Sequence, residues 1–150
     1  MTCPVALLDA NVLYPARLRD LLVRLDVAGL YQARWSERIL DECFRNLIED
    51  RPDLSAAQLA RTRLLMTTAL PAAMVTGYED GMEDHDLPDP DDRHVLAAAI
   101  ATNATLLVTN NLDDFPADKI PKGLKVVSPD EFVLSLTNDD LDVVVEVVEI

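Results

Sequence analysis

The run Val5-Ala-Leu-Leu8, four consecutive apolar residues ending at Asp9, most narrows what this chain can fold into. An unbroken apolar run of this length, without polar alternation, is the pattern of a strand buried on both faces of a parallel sheet. A carboxylate directly after such a strand lies at its C-terminal edge, where open α/β sheets bind their ligands. The rest of the chain is therefore read for further strands, for crossover helices, and for other acids delivered to the same edge.

Leu18, Leu21, Leu22, Leu25 and Ala28 recur at helical spacing over residues 15–28, with Gly29 as the stop. Ala33-Arg34-Trp35 reads as a short second strand. Ser36 is then an N-cap for a helix to about Glu49, with Ile39, Leu40, Phe44, Leu47 and Ile48 on one side. Pro52 and Asp53 break the chain, Ser55 to about Leu70 forms a third helix, and Met74-Val75-Thr76 allows a short strand. After an irregular acidic stretch, a helix runs from Asp91 or Asp92 through Val95, Leu96, Ala98 and Ala99 to Thr102. Thr105–Thr109 and Leu124–Val127 are strands, and Ser128-Pro129-Asp130-Glu131 opens a last helix with Pro in its first turn. Strands alternating with helices predict a three-layer α/β/α sandwich around a mostly parallel sheet.

This organisation fits one domain over residues 1–136, followed by an acidic amphipathic segment, 137–150. Thr137-Asn-Asp-Asp140 resembles a capping box, and Leu141, Val144, Val145 and Val148 favour a helix there, although the valines would equally suit a strand. The pattern is still open at Ile150, as in a longer native chain. No apolar run approaches the ~20 residues that span a bilayer, and no basic stretch precedes the first apolar one. A cytoplasmic protein is expected. Cys3 and Cys43 have neither disulfide-framework nor zinc-site spacing and read as ordinary thiols.

Three acid clusters fall where strands or helices meet the ligand edge. Asp9 ends the first strand, Asp113 and Asp114 follow the strand ending at Thr109, and Asp89, Asp91 and Asp92 open a helix. Glu42 lies three residues after Ile39 and five before Leu47, on or near an apolar helix face. A carboxylate there is costly to bury without a partner. Converging carboxylates raise one another's pKa unless a divalent cation neutralises them, and an all-oxygen, carboxylate-rich set suits Mg²⁺ or Mn²⁺. Such an ion polarises a phosphoryl oxygen and activates water for in-line attack. Each acid also has a bland explanation: Asp9 as a turn or cap, Asp92 as an N-cap, Asp113 and Asp114 as solvated loop charges. Their joint arrangement carries the argument. Of the two histidines, His94 follows Asp92 by two residues and points elsewhere on a helix; neither it nor His85 is a catalytic candidate.

Taken in order, Leu-Leu-Asp9-Ala-Asn11-Val-Leu, Ser36-Glu-Arg-Ile-Leu-Asp-Glu42, Asp89-Pro-Asp-Asp92-Arg-His-Val95-Leu-Ala-Ala-Ala99 and Leu107-Val-Thr109-Asn-Asn-Leu-Asp-Asp114-Phe-Pro resemble the PIN-domain family, especially the VapC-like toxins. The resemblance covers about residues 5–136. It implies a metal-dependent ribonuclease acting on single-stranded RNA and, in toxin members, neutralisation by a small antitoxin. Asp9, Glu42 and Asp92 match the first three acids of the family site, which would hold Mg²⁺ or Mn²⁺. The fourth departs: many members place an Asp two residues after the strand-ending Thr, where this chain has Asn111, so Asp114 is preferred and Asp113 stays open. Asn11 and Thr109 match positions that support the site by hydrogen bonds; Asn111, Asp113 and Asp89 join them as supporting candidates. A homodimer is a further expectation, because it would join two half-grooves.

The net charge of −14 is unusual for a protein that approaches a polyanion. Residues 1–51 hold seven arginines against eight acids, whereas residues 52–150 hold six basic residues against nineteen acids. Phosphate contacts are therefore expected from the first two long helices. Arg17 and Arg24 are seven apart, as are Arg38 and Arg45, so each pair shares a helix face. The alternative is that they pair with nearby acids. Neutralising one carboxylate, as in Asp9→Asn, is expected to raise the melting temperature of the metal-free protein. A haloacid-dehalogenase-type phosphatase would need an Asp where this chain has Asn11. The rival from another class is a PIN-like fold kept as a nucleic-acid or protein binding module, with little catalysis.

Overall fold

The computed structural model describes residues 3–139. Five strands form one sheet in the order β3-β2-β1-β4-β5, and every neighbouring pair is parallel. They are β1 (Val5–Leu8), β2 (Gln32–Ser36), β3 (Met74–Val75), β4 (Leu106–Val108) and β5 (Lys125–Val127). β1 is central, with Ala6 opposite Ala33 on one side and Leu106 on the other. Ala6, Leu7 and Leu8 are all fully buried, which is why this strand shows no polar alternation.

Among the described residues, six α-helices accompany the sheet: α1 (Ala10–Leu13), α2 (Ala16–Val27), α3 (Glu37–Asp50), α4 (Ala56–Ala69), α5 (Arg93–Ala101) and α6 (Pro129–Asp139). The crossovers from β1 to β2 to β3 run one way and the crossover to β4 returns the other way. Right-handed connections then place α1–α4 and α5 on opposite faces, giving three layers. Tyr31, just before β2, meets Phe132 of α6 edge to face with ring centroids 4.8 Å apart.

Local chemistry sets the boundaries. Gly29 takes a φ of +87°, the left-handed turn that ends the first long helix. The Ser36 hydroxyl accepts from the Ile39 N–H, and Ser55 and Gln58 form a reciprocal capping box at the start of α4. Ser128 caps α6 by accepting from the Glu131 N–H.

Three details differ from the sequence reading. The turn after Asp9 forms a further short helix, α1, because the Asp9 carboxylate caps it. Ile48 is half exposed rather than on the apolar face of α3. α6 continues to Asp139, through the Thr137 boundary, while the amphipathic segment expected beyond it lies outside the described residues. Among the described residues, no helix is long and apolar enough to cross a membrane.

Candidate functional site

The strand order reverses between β1 and β4, so the loops after these two strands part and leave a crevice at their C-terminal ends. A cleft of about 410 Å³ occupies this position. Asp9, Glu42, Asp89, Asp92, Asn111 and Asp114 line it, and no lysine or arginine does.

Asp9 is held from both sides of the crevice. Its Oδ1 accepts from the Ala10 N–H at 2.8 Å, and its Oδ2 accepts from the Asn11 amide at 3.1 Å and from the Thr109 hydroxyl at 2.9 Å. Thr109 Oγ1 in turn accepts from the Asn11 amide and the Asn111 N–H, and Asn11 Oδ1 accepts from the Asn110 N–H. This network staples the loop after β1 to the loop after β4 and fixes the Asp9 rotamer. Burial raises the Asp9 pKa; the bonds from Thr109, Ala10 and Asn11 oppose that shift, and the Asp114 charge adds to it. Asp9 thus does cap a helix, but with one oxygen only.

Asp92 behaves differently. Its side chain makes no capping bond to α5; Asp89 instead caps the preceding turn, accepting from the Asp91 N–H at 2.9 Å. Asp92 Oδ2 is buried without a hydrogen-bond partner. Burial, then the charges of Asp9, Asp114, Asp89 and Glu42, push its carboxyl up to about 7. The N-cap explanation of Asp92 therefore fails, and an orphaned oxygen facing four other acids remains.

Glu42 projects from α3, half-buried. Burial and the Asp9 charge raise its pKa, while Arg45 and Arg38 lower it. Asp114 reaches the cleft because Leu112–Asp114 forms one 3-10 turn, with the Asp114 N–H bonded to the Asn111 carbonyl. Asp113, on the same turn, is exposed and does not line the cleft.

Arg38 and Arg45 are exposed on α3 and act electrostatically on Glu42. Arg17 and Arg24 do not line the cleft, and Arg24 pairs with Asp20 at 2.8 Å. His94 is buried away from the cleft, and burial followed by the Arg38 charge lowers its pKa to about 4. Cys43 is buried, with its thiol pushed up to about 11 by burial, and Cys3 is likewise free. Tyr14, Asn46 and Asp50 also line the cleft and were not anticipated. The signal was present: Glu42, Asn46 and Asp50 recur every four residues, one polar stripe along α3.

These donors suit a hard divalent cation: anionic oxygens, one of them orphaned in a buried position, with no competing ammonium or guanidinium in the wall. Among the described residues no three such groups are drawn together as a closed ligand set. Every resolved shift among these carboxylates is upward, burial being the largest cause and neighbouring acids adding to it.

Comparison with known proteins gives three findings. A family model described as "PIN domain" matches residues 5–113. VapC50 of Mycobacterium tuberculosis, named as a candidate ribonuclease, is 42% identical over 77 residues, which are 49% of this chain and 41% of that protein. The matched part thus spans about two fifths of that relative's length. A crystal structure of VapBC2 from Rickettsia felis, bound to a DNA fragment from their promoter, superposes with a TM-score of 0.54 at 19% identity. It covers 83% of this chain and 98% of its counterpart, a likeness of fold.

Proposed function

Since this chain belongs to the PIN-domain family, whose model matches residues 5–113, we propose that it is a divalent-metal-dependent endoribonuclease cleaving single-stranded RNA. The observation that carries this reading is the orphaned Asp92 oxygen at a cleft shared with Asp9, Glu42 and Asp114. A buried carboxylate without a donor is unstable unless a cation completes it. Asp9, Glu42, Asp92 and Asp114 would hold Mg²⁺ or Mn²⁺, which when bound supplies phosphoryl polarisation and acidification of water.

The chain's own residues perform the positioning. Ala10, Asn11 and Thr109 lock the Asp9 carboxylate so that it need not reorganise when the substrate arrives. The acidic wall repels a bare phosphodiester, so entry depends on neutralisation of the cleft. Arg38 and Arg45, flanking Glu42, are the side chains that would meet phosphates at the rim.

A toxin role, opposed by a small antitoxin, follows from the kinship with VapC50 and from the fold shared with the VapBC2 complex. The biochemical test is cleavage of unstructured RNA with Mg²⁺ or Mn²⁺. Activity should vanish with chelator and in Asp9→Asn and Asp92→Asn. RNA binding without metal-dependent cleavage would overturn the reading in favour of a binding module. The toxin role is tested separately: expression should arrest growth, and co-expression of the adjoining open reading frames should relieve it.

A further inference from the structure

Beside the acids described above, Tyr14, Asn46 and Asp50 line the same cleft. Tyr14 ends α1, and its hydroxyl donates to Asp50 Oδ2 at 3.1 Å, tying the ring to the last residue of α3. Burial and the bond to Asp50 raise the phenol's pKa, so it remains a donor at neutral pH. These three bring an aromatic ring, an amide and a carboxylate, with no cation among the lining residues. That set does not match a phosphate.

It does match an unpaired nucleobase. Aromatic side chains stack splayed bases, and their Watson–Crick edges are then read by hydrogen bonds. A carboxylate only accepts. Guanine presents two adjacent donors, N1–H and the N2 amino group, to the two oxygens of one carboxylate. Uracil presents one donor flanked by two carbonyls, which a carboxylate repels. We propose that Tyr14, Asn46 and Asp50 form a nucleobase subsite beside the acid cluster, stacking a base on Tyr14 and favouring guanine through Asp50. The proposal rests on the nuclease reading for one element only, the position of the scissile phosphate beside that base.

The test measures binding apart from cleavage. In the Asp92→Asn background, dissociation constants are measured in Mg²⁺ for an oligouridine hexamer and for the same hexamer carrying one guanine. The guanine-containing RNA should bind about tenfold tighter, as for a good bidentate base contact. Asp50→Asn should reduce that ratio to about twofold or less without weakening the oligouridine. Tyr14→Ala should weaken both RNAs about tenfold, whereas Tyr14→Phe, which keeps the ring, should stay within about threefold of the parent. Equal affinity for the two hexamers, or a preference that survives Asp50→Asn, overturns the proposal. If the parent cleaves no RNA while the guanine preference holds and depends on Asp50, the nuclease reading falls and the subsite stands. If cleavage proceeds with no regard to guanine and the affinities are equal, the subsite falls alone.

Discussion

The Thr109 hydroxyl donates to Asp9 Oδ2 at 2.9 Å, joining the end of β4 to the end of β1 across 100 residues of chain. Both residues are buried, so the bond cannot be exchanged for one to water. Thr109→Val keeps the shape, removes the donor to Asp9, and strips the acceptor used by the Asn11 amide and the Asn111 N–H. Chemical denaturation should register a loss of about 1–3 kcal/mol. Cleavage should fall roughly 10- to 100-fold, as when an oriented ligand loses its support. Thr109→Ser should restore most of both; a valine variant with parental rate would show that Asp9 is held without this bond.

Sequence alone points to Asp9→Asn as the exchange that relieves repulsion. The hydrogen bonds transfer that expectation to Asp92. An amide at position 9 would set its NH₂ against donors that now converge on a carboxylate, whereas Asp92 Oδ2 has no donor to lose. In chelator at pH 8, Asp92→Asn should melt on the order of 3–8 °C above the parent, and Asp9→Asn at or below it. Thermal scans with added Mn²⁺ should show a smaller metal-induced shift in both variants.

The pH dependence of the metal-free protein follows from the same groups. Folding raises the pKa of Asp9, Glu42 and Asp92 above their ordinary 3.8, 4.5 and 3.8, Asp92 to about 7. The folded state therefore keeps protons that the unfolded state has lost, and stability falls as pH rises through this window. His94 opposes this below its ordinary 6.5, because its folded value of about 4 makes the unfolded state the better proton binder there. Between about pH 6.5 and 7.5 the unfolded His94 loses its remaining protons and the Asp92 trend outweighs it, seen as a melting temperature that declines with pH. The decline should disappear in Asp92→Asn. A parent curve that rises over that interval would contradict the upward shift of Asp92.

Arginine contacts should separate by helix. None of the four arginines lines the cleft, but Arg38 and Arg45 share α3 with Glu42 and act on its charge, whereas Arg17 and Arg24 stand on α2 and Arg24 is engaged by Asp20. Arg38→Ala and Arg45→Ala should each raise KM several-fold and reduce the salt slope of RNA binding by about one. Arg17→Ala should leave both unchanged. Equal effects from the two helices would place the RNA path elsewhere.

Much of the fold was legible because burial on both faces leaves an unambiguous trace. Val5–Leu8 and Leu106–Val108 could hardly be anything but central parallel strands, and Ser36 and Ser55 mark helix starts by chemistry that acts within four residues. Asp9, Glu42 and Asp92 could be nominated from spacing and family resemblance together. What spacing could not show is which local explanation of an acid is true. Only the coordinates show that Asp89 caps the turn before α5 and leaves Asp92 orphaned. Nor could linear distance distinguish Asp113 from Asp114, since a single 3-10 turn sends one to solvent and the other to the cleft. Tyr14 was missed because a tyrosine six residues past a strand end has no pattern of its own until Asp50 closes on it.

The central place of β1 has a consequence for synthesis. Asp9 and Glu42 leave the ribosome early, but β4 must insert beside β1 before Thr109 and Asp114 can join them. A nascent chain stopped short of Val108 therefore carries Asp9, Glu42 and Asp92, three of the four candidate ligands, with no crevice to hold them. Pairing across so long a separation forms late and all at once, so the chemistry of the cleft is withheld until translation has passed most of the domain. Topology alone thus keeps the candidate site unassembled until β4 has joined β1.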